Sequence, residues 1–285
     1  MPTAQIANRA VVLVAGPDAE PLLQNIVTPD LSALEAGEAR PGALLTPQGK
    51  ILFDFLISRA GAGSFRLDCR SDTAPDFLKR LMLYRLRAKA GISLEEQSLV
   101  HVSWQTDSPA SQDDPTTVTD HRFPERVIRH YGEGARADTP GEAWHRLRVM
   151  HGIAESGSDY ALGDAFPHDI LFDQNGGVGL KKGCFVGQEV VSRMQHRGTA
   201  RRRLVIVHGE APLPASGTDL TADGRALGTL GTVCGSDGLA ILRVDKASSA
   251  RRAGMPILAG DVPVALAVPA YAAFTLDGGG EAETA

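Results

Sequence analysis

The most constraining feature of this sequence is a series of short apolar segments in its last third. They occupy residues 203–209, 218–230, 232–244 and 262–271. Two dipeptides within this stretch, Asp223-Gly224 and Asp237-Gly238, are of the type that favours tight hairpin turns, because both positions tolerate a left-handed backbone. Several short strands joined by such turns indicate a small antiparallel β-barrel.

A basic stretch precedes this predicted barrel. Three arginines at 201–203 follow an apolar segment punctuated by glycines, so we place a domain boundary between residues 200 and 201. We predict a first region of two intertwined lobes over residues 1–200 and a barrel domain over residues 201–276. The glycine-rich end, residues 277–285, is predicted to be a disordered tail.

The first region mixes strand and helix patterns. We predict a strand at 10–15, a short helix after Asp18, two strands around a turn at 47–49, a strand at 64–69, and a helix that starts at Asp72 or Thr73. Residues 105–120 hold only one large apolar residue and no aromatic one, so we predict a surface loop there.

Composition excludes several classes of protein. The net charge is −5, which disfavours general binding to nucleic acids. Only three cysteines are present, at positions 69, 184 and 234, so neither a disulfide framework nor a resident iron–sulfur cluster with four cysteine ligands fits one chain. No apolar stretch approaches the roughly 18 residues of a membrane-spanning helix. These features predict a cytoplasmic protein without membrane, nucleic-acid or resident metal partners.

The segment KKGCFVGQEVVSR, residues 181–193, is the strongest candidate for chemistry. Cys184 follows two lysines and Gly183, and this positive, low-bulk setting is typical of a reactive or ligand-contacting thiol. Gly183 and Gly187 bracket the cysteine, so we predict a tight turn that enters a helix at Gln188. The alternative is that Cys184 is one more small buried residue and the glycines only form turns.

This segment resembles a known family. KGCFVGQE, residues 182–189, resembles the signature of the YgfZ folate-binding proteins, which include mitochondrial iron–sulfur assembly factors and are similar to the T-protein, the aminomethyltransferase of the glycine cleavage system. Further collinear blocks, at 11–31, 44–57, 78–92 and 144–159, also resemble this family. The resemblance implies an α+β fold in which three lobes surround a central tetrahydrofolate cavity, with the β-barrel as the last lobe.

The resemblance also implies a function and a site. It implies a tetrahydrofolate-binding accessory protein, without classical turnover, that serves the assembly or repair of iron–sulfur clusters through Cys184. Its partners would be a reduced folate and, transiently, iron–sulfur client or assembly proteins, and we expect a monomer. The residues implied to bind the cofactor are Lys182, Gly183, Gly187, Gln188, Glu189, Arg193 and Asp54. Arg193 could instead pair with Glu189, which lies four residues before it.

The alternative function is a folate-dependent aminomethyltransferase of T-protein type. Two departures from the T-protein pattern weaken it, because acid–base chemistry and pterin recognition need charges at fixed positions. Met150 stands where the resemblance implies a pterin-binding glutamate, and Phe53 replaces the first of two paired aspartates. Asp54, the second of the pair, either faces the cofactor or points to solvent.

Overall fold

A computed structural model describes residues 1–95, 99–106, 110 and 114–276 of the chain. Contacts divide the chain into two compact units. Unit 1 comprises Met1–Trp144 and Asn175–Gln188, and unit 2 comprises His145–Gln174 and the chain from Glu189 onward. Each unit therefore contains two separate stretches of chain, whereas the predicted boundary at 200/201 is a single cut. The predicted tail, residues 277–285, lies outside the described residues.

Unit 1 is built on one mixed sheet, in which nine strands of the described residues pair in the order β1-β7-β9-β8-β3-β4-β5-β2-β6. The strands are β1 Thr3–Gln5, β2 Arg9–Ala15, β3 Glu38–Leu45, β4 Ile51–Arg59, β5 Ser64–Arg70, β6 Gly91–Glu95, β7 Val100–Trp104, β8 Thr117–Asp120 and β9 Val127–Tyr131. All neighbours are antiparallel except β3 and β8, which are parallel.

Two helices of unit 1 follow predicted starts. Helix α1, Ala19–Gln24, begins after Asp18, and helix α2, Ala74–Arg85, begins after Thr73 with a proline in its first turn. Both predictions are confirmed. The sheet and α2 share an apolar core because alternate side chains of β4 point to the helix: the rings of Phe53 and Phe55 stack on Phe77, with centroids 5.0 and 5.4 Å away.

An ion cluster with a fully buried centre lies within the same unit. Arg129 of β9 bridges two carboxylates: its Nη1 is 2.7 Å from Asp68 Oδ2 and its Nε is 3.0 Å from Asp120 Oδ2. Arg9 also binds Asp68, at 2.6 Å, and Arg122 binds Asp120, at 2.8 Å. Burial raises the pKa of Asp120, but the two arginines outweigh it and hold that pKa well below its usual value. We call these residues the Arg129 cluster.

The prediction of a surface loop over residues 105–120 is wrong at the end of that segment, where Asp120 belongs to the Arg129 cluster. Part of that segment is the strand β8, Thr117–Asp120, in which Val118 and Asp120 are buried. The polar composition was misleading because Asp120 is buried together with its arginine partners. Residues 107–109 and 111–113 of the same segment lie outside the described part of the chain.

Unit 2 contains the predicted barrel, a closed sheet in which six described strands follow the order β10-β13-β12-β11-β14-β15. Its strands are β10 Arg202–Gly209, β11 Asp219–Ala222, β12 Arg225–Cys234, β13 Asp237–Arg243, β14 Ile257–Ala259 and β15 Val262–Ala267. The barrel is antiparallel throughout and closes where β15 pairs with β10. The prediction of a C-terminal antiparallel barrel is confirmed.

The two predicted hairpin turns have different outcomes. Asp223 and Gly224 join β11 to β12 with positive φ values of 49° and 66°, so the first turn is confirmed. The second turn lies at Gly235, with φ 69°, and Ser236, while Asp237 and Gly238 belong to β13. That prediction is wrong by two residues, because the glycine at 235 supplies the left-handed position.

The described residues contain three further helices. They are α3, Gly141–His151, α4, Gln188–Arg197, and α5, Val244–Arg252, which follows β13. Short 3₁₀ turns lie at Leu31–Ala33 and Pro167–Ile170. The start of α4 at Gln188 confirms the helix predicted there.

Arg148 of α3 joins the elements of unit 2. It is fully buried, and its Nη1 donates to Ile153 O at 2.8 Å and to Asp159 Oδ2 at 2.9 Å. Its Nη2 donates to Thr232 Oγ1 of β12 at 3.1 Å, and its Nε lies 3.2 Å from Glu155 Oε2. One guanidinium therefore connects α3, the chain that follows it, and the barrel.

Candidate functional site

Cys184 is the exposed thiol among the three cysteines of the sequence. Cys69 is buried in the core of unit 1, where burial raises the pKa of its thiol to about 12. Cys234 is half-buried at the end of β12, and burial raises its pKa as well. The exposed position of Cys184 fits the prediction of a reactive thiol better than the alternative of a buried packing residue.

Lys182 anchors the loop that carries this cysteine. Its Nζ donates to Val27 O at 2.7 Å and to Pro29 O at 2.8 Å, and it lies 5.2 Å from the centre of the Phe185 ring. Burial lowers the pKa of Lys182 to about 8, although the nearby Asp30 carboxylate opposes that shift. The ammonium group therefore holds the loop against residues 27–30. Lys181, three residues before Cys184, is exposed.

The chain before Lys182 is fixed to the same segment. Gly179 N donates to Thr28 O at 2.8 Å, and Thr28 Oγ1 donates to Gly177 O at 2.6 Å. The Thr28 hydroxyl also accepts a bond from Ala43 N of β3, at 2.9 Å. The Thr28 hydroxyl therefore links this chain to strand β3, and Cys184 is exposed between the buried residues Lys182 and Phe185.

Close packing and a left-handed backbone conformation both require a glycine at position 187. Its φ is +78°, and a Cβ atom there would lie 2.6 Å from Thr46 O and 3.0 Å from Leu45 Cβ, at the turn between β3 and β4. A Cβ on Gly183, in contrast, would meet no atom within 4 Å. The two glycines of the motif therefore differ: Gly187 seats the loop on the hairpin, whereas Gly183 keeps the space before the cysteine open.

We expect Gly187→Ala to destabilise unit 1 by roughly 2–4 kcal/mol, because it combines a strained left-handed alanine with an overpacked contact. Gly183→Ala is the matched control within the same motif, and its effect should stay within about 0.5 kcal/mol. Urea unfolding of the full chain, followed by tryptophan fluorescence, compares the two. Equal effects of both substitutions would contradict the seating role of Gly187.

Glu189 and Arg193 form an ion pair on the surface of α4, with 2.6 Å between Glu189 Oε1 and Arg193 Nη2. Both side chains are exposed, so the pair adds little stability. The interpretation that Arg193 pairs with the glutamate four residues before it is confirmed. Gln188, at the start of α4, is half-buried.

The two aligned acid positions each lack a carboxylate and belong to different units. Phe53 is part of the core beneath α2, and Asp54 is half-buried opposite Ala43 of β3. Met150, in α3 of unit 2, is 59% exposed. Neither Phe53 nor Met150 provides the carboxylate that the aminomethyltransferase alternative needs.

Two cavities of the described structure lie elsewhere. One, of about 500 Å³, lies between the β11–β12 hairpin and α5, and the other, of about 420 Å³, lies beside the loop at Gly61 to Gly63. Neither is lined by a predicted site residue. Within the described ranges no group of three or more His, Cys, Asp or Glu side chains could hold a metal ion, and no helix is long and apolar enough to cross a membrane.

The Arg129 cluster and the Arg148 contacts were missed by the sequence analysis. Arg129 alternates with the apolar residues Val127 and Tyr131 of its strand, which is a signal for burial. Asp68 alternates with the polar residues Arg66 and Arg70, so the pattern did not mark it as buried. Arg148 lies between two buried apolar residues of α3, Leu147 and Val149. None of these residues is exposed, so they support the fold rather than contact a ligand.

The fold defines a T-protein-like protein. A crystal structure of the glycine cleavage system aminomethyltransferase T from Bartonella henselae is similar over 93% of this chain and 84% of that one, with a TM-score of 0.70 at 16% identity. The predicted fold class, a T-protein-like mixture of helices and strands with a C-terminal barrel, is confirmed. A family model described as "CAF17, C-terminal beta-barrel domain" matches residues 201–274.

Sequence relatives define the family. The mitochondrial iron–sulfur cluster assembly factor IBA57 of Mus musculus is 31% identical, over 84% of this chain and 76% of that protein, and the Homo sapiens protein of the same name is 30% identical, over 85% and 77%. The Neurospora crassa homologue is 29% identical over 75% of this chain, which spans 56% of its length. The chain belongs to the IBA57 family of iron–sulfur cluster assembly factors.

The relatives also show that the predicted cellular location is wrong. All three relatives are named as mitochondrial proteins, so the expected cytoplasmic location is wrong. The absence of a long apolar segment and the reduced cysteines could not distinguish between the two compartments, because both features are common to soluble proteins of each.

Proposed function

We propose that this chain supports the assembly or repair of iron–sulfur clusters through the Cys184 thiol. The observation that carries the proposal is the exposure of Cys184 on a loop that Lys182, two residues before it, fixes to the backbone of residues 27–29 in unit 1. Thiolates are the usual protein ligands of iron–sulfur clusters. Membership of the IBA57 family supports the choice of clusters as the cargo.

The loop that carries Cys184 is better suited to transferring an iron–sulfur cluster than to holding one permanently. A single exposed thiol provides one ligand, whereas a protein-bound cluster commonly needs four. The chain has three cysteines, of which Cys69 is buried and Cys234 half-buried, so a partner protein would supply the remaining ligands. We therefore propose a transient complex with iron–sulfur assembly or client proteins. The resemblance of KGCFVGQE to the YgfZ signature supports the same role.

We expect Cys184→Ser to abolish the activity of iron–sulfur enzymes in cells that depend on this chain, while the folded protein stays as stable as the parent. The reason is that serine keeps the shape of an exposed side chain but removes the metal-binding sulfur. Cys69→Ser is the matched control: it should lower stability and preserve function, because that thiol packs in the core. Full complementation by Cys184→Ser would contradict the proposal.

Tetrahydrofolate is proposed as a ligand, supported by the family resemblance and the T-protein-like fold. The motif residues fit it poorly as direct ligands: Lys182 is bonded to two carbonyl groups, Gly187 is packed on the hairpin, and Glu189 pairs with Arg193. We therefore derive no step of cluster assembly through folate, and Asp54 and Gln188 remain the half-buried candidates.

Titration calorimetry under reducing conditions tests folate binding. We expect saturable heat with tetrahydrofolate in the micromolar to sub-millimolar range, and the same affinity for Arg193→Ala, because Arg193 is engaged by Glu189 on the surface. Absence of saturable heat would overturn the folate proposal and leave the proposed role of Cys184 intact. A strong loss of affinity in Arg193→Ala would show that the ion pair opens for the ligand.

A further inference from the structure

The C-terminal end of α2 exposes three large apolar side chains. Met82 is 41% exposed, Leu83 68% and Leu86 86%. Leu83 lies in the last turn of the helix, and Leu86 is the residue that ends it. The core-facing side of α2 is occupied by Phe77 and Leu81, which leaves this second apolar group outside the core of unit 1.

Leu86 is also held in a strained conformation. Its φ of 46° and ψ of −107° lie in a region that a leucine rarely adopts. The chain is fixed on both sides of it: Ala88 N donates to Arg85 O at 2.8 Å, and Lys89 N donates to Asp18 Oδ2 at 2.7 Å. A glycine would take this conformation without strain, so leucine costs stability here and gains no packing in return.

Positive charge surrounds the exposed leucines. Arg80, Arg87 and Lys89 are exposed, and Arg85 is half-buried. The described residues give none of these four an ion-pair partner, whereas Lys79, one turn before Leu83, is paired with Asp76 at 3.1 Å. This surface is therefore basic although the whole chain carries a net charge of −5.

We propose that this surface, Met82, Leu83 and Leu86 with the surrounding cations, is the docking site for an acidic, leucine-bearing segment of a partner protein. Charge complementarity selects an acidic occupant. It disfavours a second copy of this chain, since an isologous contact would bring the cations against each other. Apolar side chains of the segment would cover Leu83 and Leu86, which accounts for a strained leucine at the surface. The inference does not depend on the role of Cys184.

The test uses the full chain and a synthetic acidic helical peptide of about 18 residues, with leucines at positions i, i+3, i+4 and i+7 among glutamates. Fluorescence anisotropy should show saturable binding that weakens as salt is raised. We expect Leu86→Gly and Leu83→Gln each to weaken binding about tenfold or more, since each removes a leucine contact. Met255→Gln, which changes an exposed methionine of unit 2, is the control and should bind like the parent.

Measuring the stability of the variants distinguishes a docking role of Leu86 from a structural one. Leu86→Gly relieves the strained backbone, so its urea midpoint should equal or exceed that of the parent while its peptide affinity falls. Unchanged affinity in both leucine variants, or equal affinity for a scrambled peptide of the same composition, would overturn the proposal. Binding to anionic lipid vesicles without binding to the peptide, or a concentration-dependent dimer that Leu86→Gly abolishes, would overturn it in favour of a membrane surface or a second copy.

Discussion

Arg129→Met is expected to destabilise unit 1 by about 3–5 kcal/mol, the cost of breaking a buried ion pair by removing one partner. Methionine fills much of the volume of the arginine side chain but leaves Asp68 and Asp120, both fully buried, with one arginine fewer each. Tryptophan fluorescence during urea unfolding measures this effect, because Trp104 and Trp144 both belong to unit 1. The matched control is Lys79→Met, which breaks the exposed pair with Asp76 and should cost less than about 0.5 kcal/mol.

The loss in Arg129→Met should also depend on pH. Since Arg122 and Arg129 hold the pKa of Asp120 below its usual value of 3.8, that carboxylate stabilises the native state above pH 3.8. The contribution is lost as the pH falls below this value and the carboxylate is protonated. The difference between parent and variant should therefore stay the same from pH 7 to about pH 4 and shrink only as the pH falls below 3.8. A difference that is constant with pH would mean that packing, not charge, is what Arg129 contributes.

Arg148→Met is expected to have an effect of similar size, about 3–5 kcal/mol, confined to unit 2. It removes the guanidinium that lies 3.2 Å from Glu155 and 2.9 Å from Asp159, so these two carboxylates lose the cation that they share. Asp159 is almost fully buried and also accepts the backbone N–H of Thr232, so the barrel strand β12 should loosen first.

Hydrogen exchange resolved by residue measures the effect of Arg148→Met. Amides of β12 and of residues 153–159 should exchange faster in the variant, while those of β4 and β5 in unit 1 keep their protection. Arg146→Met, a neighbouring exposed arginine of the same helix, is the control and should leave both sets unchanged. Equal loss of protection in β4 and β12 would contradict a local role for Arg148.

The sequence correctly predicted those elements that are determined by residues close together in the chain. The turn at Asp223-Gly224, the start of α2 after Thr73 and the start of α4 at Gln188 each depend on a few adjacent residues, and the structure has all three. The exposed Cys184 belongs to the same class, because its glycine neighbours leave it uncovered.

Contacts between residues that are far apart in the chain could not be predicted from the sequence. Asp120 lies in a polar stretch, and its burial is compensated by Arg122, two residues later, and by Arg129 on another strand. Lys182 was predicted as a ligand-binding residue by resemblance, yet its bonds to Val27 and Pro29 cross more than 150 residues of chain. Such contacts leave no periodic pattern, since each depends on two distant segments meeting in the folded state.

The closed barrel of unit 2 has a consequence for aggregation. Because β15 pairs with β10, every described strand of the barrel has a neighbour on both sides, so no strand there offers an open edge to a foreign strand. The sheet of unit 1, in contrast, ends at β1 and β6. A misfolded or amyloid-prone neighbour that recruits this protein by strand addition would therefore do so at these two borders, and the five residues of β6 are the longer template.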